Sequence, residues 1–564
     1  NQNNCLFDDG SLYAGRGRYF CGVIEPGVAD SDYTVQFADA DMVGIEADTY
    51  NVSLRMEYEL SDTLTLVSLT GFNDRRETQL TDGDYSPNSF QTAVFARFPA
   101  GPPSGFGPAG PIFPFGFVGT TIDFSFANLR ETQDWSQELK LLYENDRFGI
   151  IVGGYSFDQR DDNFSVRDVP ADAGALAGAS FGARQAEGQV RCAANPICGT
   201  TFPLFGPSTP NDRSENLLDI ENIAVYGAVS WHITDALSIG VEGRYAEESI
   251  SQTVFNFAEG AARPAPVLAD ATFKAFTPRV TLDWQFTPDN MLYAIYAEGQ
   301  KPGGFNGALA ITANALDPNL GIETFEEEEN KSIEVGRKNS FFDGSVIFNI
   351  AAYYTEIDGY QLTQNVSVPP NQISVVTNAG EAEIWGIEAE LVGELSRGLT
   401  LTANYALADT EFTSGVDENQ GVLNDVADDG LVNCSTGDQF PDIPDCQSLF
   451  GSIAGAAIPR APRHRIFADL DYRSSTGIGG GTWDFVAGGN STYTSRTGDA
   501  TEVDVRMGLE NDRFRILLYA NNLFDEDAIQ QIIRYADANN DLRRSFIGGL
   551  RPGRRVGVVL SAGF

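Results

Sequence analysis

Residues 50–60, YNVSLRMEYEL, alternate so strictly that they constrain the whole chain. Tyr50, Val52, Leu54, Met56, Tyr58 and Leu60 share one face of an extended strand, while Asn51, Ser53, Arg55, Glu57 and Glu59 share the other. A strand of a water-soluble sandwich also alternates, but its apolar side faces a protein core. Here the apolar face carries aromatic rings toward both ends and the opposite face is charged. That is the pattern of a strand with lipid on one side and a wet lumen on the other.

The pattern recurs along the sequence. Leu237, Ile239, Val241 and Tyr245 oppose Glu242 and Arg244; Val280, Leu282, Trp284 and Phe286 oppose Thr281, Asp283 and Gln285. Val503, Val505, Met507 and Leu509 oppose Asp504 and Arg506, and residues 346–354, 399–407 and 466–472 read alike. The C-terminal VGVVLSAGF places Val556, Val558, Leu560, Ala562 and Phe564 on one wholly apolar face. An Arg or Lys on a lipid face at mid-bilayer costs about 2–4 kcal/mol, so apolar registers free of charge are informative. No apolar run reaches the roughly 18 residues of a membrane-spanning helix, so crossing falls to strands.

Two kinds of connection alternate between these strands. Short ones, at LSDTL (60–64), ENDRF (144–148 and again 510–514), ITDAL (233–237), TPDNM (287–291), FFDGS (341–345) and SRGL (396–399), are built from Asp, Asn, Gly and Pro, as tight turns require. Long ones occupy 1–49, 86–130, 170–216, 301–326, 414–460 and 522–551. Short periplasmic turns and long external loops are the layout of an outer-membrane barrel, so the expected division is an external segment 1–49 followed by barrel strands over 50–564. The reading gives an all-β antiparallel barrel of about 17 strands. Its first and last strands both run toward the short-turn side, which forces an odd count. Single-chain bacterial barrels have even counts, and an open sheet edge in hydrocarbon strands unpaired backbone groups. Further strands are therefore expected from a second chain or from a segment outside these residues.

Charge and cysteine usage bound the function. With 79 acidic against 37 basic residues, a net charge of −42, the chain repels a phosphate backbone, and nucleic acid is excluded as a partner. The acid is expected to solvate large loops, with divalent cations as the competing reading. Cys5 and Cys21, Cys192 and Cys198, and Cys434 and Cys446 form three local pairs inside long connections, the usage of disulfides in an oxidising compartment. The segment holding Asp537, Asn539 and Asp541 is oxygen-rich but lacks the spacing of a calcium-binding EF-hand loop, so a polar turn is the plainer reading and no cofactor is expected beyond a Ca²⁺ candidate there. The two histidines, His232 and His464, have no nucleophile in a shared motif, and catalysis is not expected.

Several segments resemble TonB-dependent outer-membrane receptors. YAEGQKPGGFNG (296–307) is similar to the strand-then-loop signature of that family, and TFEEEENKSIEVGRKNSFFDGSVIFNIAAYYTEIDGYQL (324–362) to its E-x-G-x-K hairpin. NAGEAEIWGIEAEL (378–391), PRAPRHRIFADLDY (459–472), YANNLFDEDA (519–528) and the terminal Phe564, expected as a barrel-assembly signal, follow the family's closing half. The resemblance implies a barrel of about 22 strands around an N-terminal plug. No plug or TonB box is read in this sequence, so the chain is expected to be the C-terminal barrel portion of such a receptor in the bacterial outer membrane, bordered by phospholipid and lipopolysaccharide. It further implies import of a ferric siderophore, or next a glycan or cobalamin, powered by TonB acting through the plug. The competing class is a non-transport surface barrel, an adhesin or lattice component. Candidate ligand contacts are Arg75, Arg76, Lys301, Phe305 and Asn306, each where a strand passes into a long loop, with Phe113 and Phe115 among the clustered rings of 86–130.

Overall fold

The computed structural model describes residues 44–82, 125–169, 212–258, 266–307, 321–368, 371–417, 451–495 and 500–563, apart from short breaks, together with 90–93 and 119–122. Seventeen long strands form one sheet. They are Gly44–Ser61, Leu64–Asp82, Ser125–Glu144, Phe148–Val169, Asp212–Thr234, Leu237–Ala258, Val267–Thr287, Asn290–Lys301, Glu328–Phe341, Val346–Asp358, Ala382–Ser396, Leu399–Phe412, His464–Ser475, Asp484–Thr494, Ala500–Glu510, Phe514–Asn521 and Arg555–Ala562. Each pairs antiparallel with the next in the chain. Among the described residues, no helix is long and apolar enough to cross a membrane.

The short connections are turns of two to four residues between strand ends, and at FFDG the chain turns through the left-handed region, with φ of 56° at Phe342, 55° at Asp343 and 88° at Gly344. Long connections carry hairpins of their own: Phe90–Ala93 with Gly119–Ile122, Gln361–Val368 with Asn371–Asn378, and Ile529–Asp537 with Arg543–Leu550. The hairpin 361–378 is a long external excursion that the sequence reading did not separate from the barrel strands around it.

The strands also begin or end further out than the apolar alternation does. Gly44–Ser61 starts six residues before Tyr50 and Ser125–Glu144 starts well inside the expected loop 86–130. The cause is physical: alternation of apolar and polar residues marks only the part of a strand that lipid touches, and above the lipid both faces meet water while the ladder continues.

Pairing fixes which residues share a face. Val52, Phe72 and Trp135 lie in one cross-strand row, and Ile239, Leu282 and Leu237, Trp284 in the next rows of another sector. These outward residues are large, apolar and open: Phe276 is 63 % exposed, Val241 51 % and Val558 57 %. An exposed apolar face of this extent has one stable solvent, the acyl chains of a bilayer. Aromatic rings bound it on both sides, with Tyr50 and Tyr58, Trp135 and Tyr143, and Phe276 and Trp284 each eight positions apart. Eight residues at about 3.3 Å each on a strand tilted about 40° span about 20 Å of the membrane normal, close to the apolar band of a barrel of this kind. Val280→Arg, at the middle of that band, is therefore expected to destabilise the folded barrel by about 2–4 kcal/mol in a denaturant titration from micelles, whereas Thr281→Arg on the opposite face is expected to change it by under about 1 kcal/mol.

Candidate functional site

The inward face is polar and carries its charges as pairs. Glu138 is bridged by Lys140 at 3.1 Å and accepts a hydrogen bond from Tyr226 two strands away, while the Arg244 guanidinium lies 5.2 Å from the centre of the Tyr155 ring. Tyr293 donates to Glu334 at 2.6 Å. Farther round, Arg506 grips Asp469 through two hydrogen bonds of 3.1 and 3.0 Å and also reaches Asp471. Arg473 bridges Asp484 and Glu510, and Arg515 reaches Glu510 at 3.4 Å. A cavity of 370 Å³ lies among Asp471, Arg473, Arg506, Glu510 and Arg515. Such a wall offers hydrogen-bonding groups along a path and leaves few bare charges, which suits passage better than tight retention.

Glycine shapes this wall. Tyr226 stands opposite Gly153, Tyr293 opposite Gly336, Tyr353 opposite Gly386 and Tyr519 opposite Gly557. In each pair a β-carbon on the glycine would fall between 2.3 and 2.5 Å from an atom of the tyrosine side chain. The ring lies flat across the bare backbone of its neighbour, so a bulky side chain hugs the wall instead of filling the lumen.

At the outer mouth, side-chain amides tie the external segments to one another. Asn306 is 4 % exposed; its Nδ2 donates to the carbonyls of Ile322 at 3.0 Å and Val376 at 2.8 Å, and its Oδ1 accepts from the Val376 N–H at 2.7 Å. Gln361 Nε2 donates to the carbonyls of Pro302 and Glu326, at 2.9 and 3.0 Å. Asn378 accepts from the Glu326 N–H at 2.7 Å and donates to the carbonyls of Glu326 and Gly359. The glycines of KPGGFN complete the joint, because a β-carbon on Gly303 would meet the Phe325 carbonyl at 2.4 Å and the Phe273 ring at 2.5 Å. Beneath these ties sits a small buried cluster of Ile357, Ala379, Ala382, Phe412, Ile453 and Ile458. Tyr360 packs edge-on against Phe412 at 5.1 Å, and burial, with Glu328 close by, raises its phenol above the ordinary value so that it stays neutral.

The candidate ligand contacts separate on this geometry. Arg75 faces the lumen at the rim and is paired with Glu77. Arg76 points the other way, 3.5 Å from Glu131 on the outer surface. Lys301 is exposed at the last rung of its ladder, opposite Glu328. Phe305 is half-buried opposite Thr324. Asn306 is spent on backbone, so the motif that carries it works as a joint between loops. Phe113, Phe115, the six cysteines, Asn539, Asp541 and Phe564 lie outside the described residues, and Asp537 ends the strand Ile529–Asp537. No cluster of three or more metal-ligating side chains occurs among the described residues.

Asn378, Gln361 and Asn522 were not singled out from sequence. Their signal was present all the same, since an Asn or Gln beside a glycine or a turn inside a motif of fixed length marks a side chain pledged to backbone.

The profile described as TonB dependent receptor-like, beta-barrel matches residues 6–523. Among curated proteins, the chain is similar to the pesticin receptor of Yersinia pestis, 23 % identical over 355 residues that cover 62 % of this chain and 45 % of that one. It is also similar to the metal-pseudopaline receptor of Pseudomonas aeruginosa, 28 % identical over 225 residues covering 40 % and 28 %. The chain thus spans less than half the length of these relatives. Among solved structures, the ferric yersiniabactin uptake receptor of Yersinia pestis superposes with a TM-score of 0.60 at 16 % identity, covering 92 % of this chain and 62 % of that one, which shows the fold. The profile match, the ladder order and the two-faced strands together make this chain a member of the TonB-dependent receptor β-barrel family of the bacterial outer membrane, a family of receptors and not of enzymes.

Proposed function

We propose that this chain forms the wall and mouth of a receptor that imports a scarce ligand across the outer membrane with energy relayed by TonB, a ferric siderophore ahead of a glycan or cobalamin. The observation that carries the reading is the joined mouth. External segments held to one another by Asn306, Gln361 and Asn378 stand over a continuous polar wall, so a ligand caught above meets a path lined with hydrogen-bonding groups. The printed names of the relatives support the ligand class, being receptors for pesticin, metal-pseudopaline and ferric yersiniabactin. Arg75 and Lys301 are the proposed first contacts for an anionic chelate, because both face the lumen at the rim.

Energy transfer through a plug belongs to the same proposal. So does barrel closure: the outer edges of Gly44–Ser61 and Arg555–Ala562 have no partner among the described residues and run in the same direction, and several kcal/mol per unpaired backbone group favours bridging them with further strands.

Uptake of radiolabelled ferric siderophores by iron-starved cells producing the full receptor tests the reading, with a strain lacking TonB beside it. TonB-dependent accumulation is expected, and Lys301→Ala is expected to lower apparent affinity about threefold to tenfold by removing one cation at the rim. Binding without accumulation in either strain would favour the surface-barrel alternative.

A further inference from the structure

We propose that Arg337 and the rings beside it form a phospholipid headgroup site on the outside of the barrel, at the periplasmic border. The ladder registers assign an outward face to every strand: Asp158 and Glu221 share the Trp135 row near its outer border, whereas the periplasmic half of that face holds a single charged strand residue among the described residues. It is Arg337, in the strand Glu328–Phe341. It stands in one cross-strand row with Trp284, Leu292 and Ile350, all outward. Its neighbour Lys338 turns the other way, with its ammonium 5.5 Å from the Tyr293 ring in the lumen.

A guanidinium on the lipid side needs a reason. Arg337 is exposed, and no carboxylate of the described residues bridges it. Its guanidinium lies 5.1 Å from the centre of the Phe286 ring, which in turn lies 5.7 Å from Trp284 in the belt nearest the TPDN turn. The side chain thus lies beside the belt, and its N–H donors, unpaired among the described residues, are free for an anion of the layer where lipid phosphates sit.

Cost decides the occupant. An unpaired Arg on this face is tolerated at the border and penalised at the midplane, and a phosphate is the anion that layer supplies in abundance. The strands flanking Arg337 are smooth and apolar, with Leu292 and Ile350 on either side. A headgroup phosphate on the guanidinium would thus leave its acyl chains lying along residues of matching chemistry. The ligand class is a glycerophospholipid of the inner leaflet.

The full receptor, extracted in mild detergent and passed into the gas phase intact, tests this by the phospholipid it keeps. Wild type is expected to retain phosphatidylglycerol or phosphatidylethanolamine, and Arg337→Leu to retain about tenfold less, the loss of one charge-assisted contact. Arg337→Lys is expected to fall between them, lacking the planar fork. Because the Leu variant removes a charge from a lipid face, it is expected to assemble normally, and a heat-shift gel verifies that. Arg513→Leu, a turn cation on the same side of the membrane, is the control and is expected to retain lipid as wild type does. Equal retention by wild type and Arg337→Leu would overturn the proposal, as would retention of inorganic phosphate alone, of lipopolysaccharide alone, or of a second protein chain in its place.

Discussion

Gly386→Val is expected to destabilise the folded barrel by about 4 kcal/mol and to cut the heat-resistant folded band on a gel to a small fraction of wild type. A β-carbon at this position would lie 2.4 Å from the Leu407 carbonyl oxygen and 2.4 Å from the Tyr353 ring. The ring can swing into the lumen. The carbonyl cannot, because Leu407 stands opposite Ile387 in the ladder that joins Ala382–Ser396 to Leu399–Phe412. A double substitution separates the two obstacles. At Gly336 the nearest atoms all belong to the Tyr293 ring, so Tyr293→Ala is expected to rescue Gly336→Ala nearly in full. Tyr353→Ala is expected to rescue Gly386→Ala only in part. Gly393→Val, where the nearest atom is a Val346 methyl at 3.7 Å, serves as control and is expected to stay within about 1 kcal/mol of wild type. Equal stability of the Gly386→Val and Gly393→Val proteins would remove the ring-over-glycine contact from the account of this wall.

The membrane-facing half of the architecture was legible because lipid imposes a one-residue rule. A strand that crosses keeps mostly apolar side chains at every second position, so Tyr50, Val52, Leu54 and Met56 announce their face before any partner is known. The turns were legible for a similar reason, since sequences such as FFDG need residues that tolerate positive φ. Outside the lipid that rule lapses. Strand segments above the belt, such as residues 44–49, carry no alternation to read, and their extent is set by the pairing partner. The hairpin 361–378 lies there too, although the β-branched Val366, Val368, Ile373 and Val375 on either side of Pro369 and Pro370 are the sequence signal that would have found it.

The site was legible in its motifs and not in their meaning. KPGGFN lies where the strand Asn290–Lys301 passes into a loop, its glycines make room for Phe325 and Phe273, and its Asn306 binds backbone. Nothing in a local sequence tells whether an amide will meet a ligand or the main chain of residue 376, because that partner is brought in from 70 positions away. The direction in which a rim cation points was likewise hidden. Arg75 and Arg76 are adjacent in sequence and therefore opposite in space, and only the register decides which of them sees the lumen. Register also exposes Arg337, which shares a face with Ile333, Val335 and Phe341 although Lys331 and Asn339 on that same face blur the alternation.

Asn522→Ala is expected to cost about 4 kcal/mol and to release the external connection 522–554 to protease while the rest of the barrel stays protected. The residue is 2 % exposed and sits at φ 48°. Its N–H donates to Asp504 Oδ1 at 2.9 Å, its Oδ1 accepts from the Glu526 N–H at 2.7 Å, and its Nδ2 donates to the carbonyls of Glu526 at 3.1 Å and Pro552 at 3.2 Å. One side chain thus ties the departure of the connection to its return, and Asp525 repeats the device by accepting from the Arg554 N–H at 2.6 Å. Alanine leaves one N–H donor and two carbonyls of this half-buried joint without their side-chain partner and keeps a β-carbon in the left-handed region, where it costs about 1 kcal/mol more. Two further variants distinguish these contributions. Asn522→Gly relieves the backbone and is expected to be milder than Ala by about 1 kcal/mol. Asn522→Asp keeps the acceptor for Glu526 but turns a second oxygen toward two carbonyls, so it is expected to be at least as damaging as Ala. If Ala and Gly behaved alike and the connection stayed as resistant to protease as in wild type, the Asn522 amide would be decoration, and the connection would have to be held by its other ties, Asp525 with the Arg554 N–H among them.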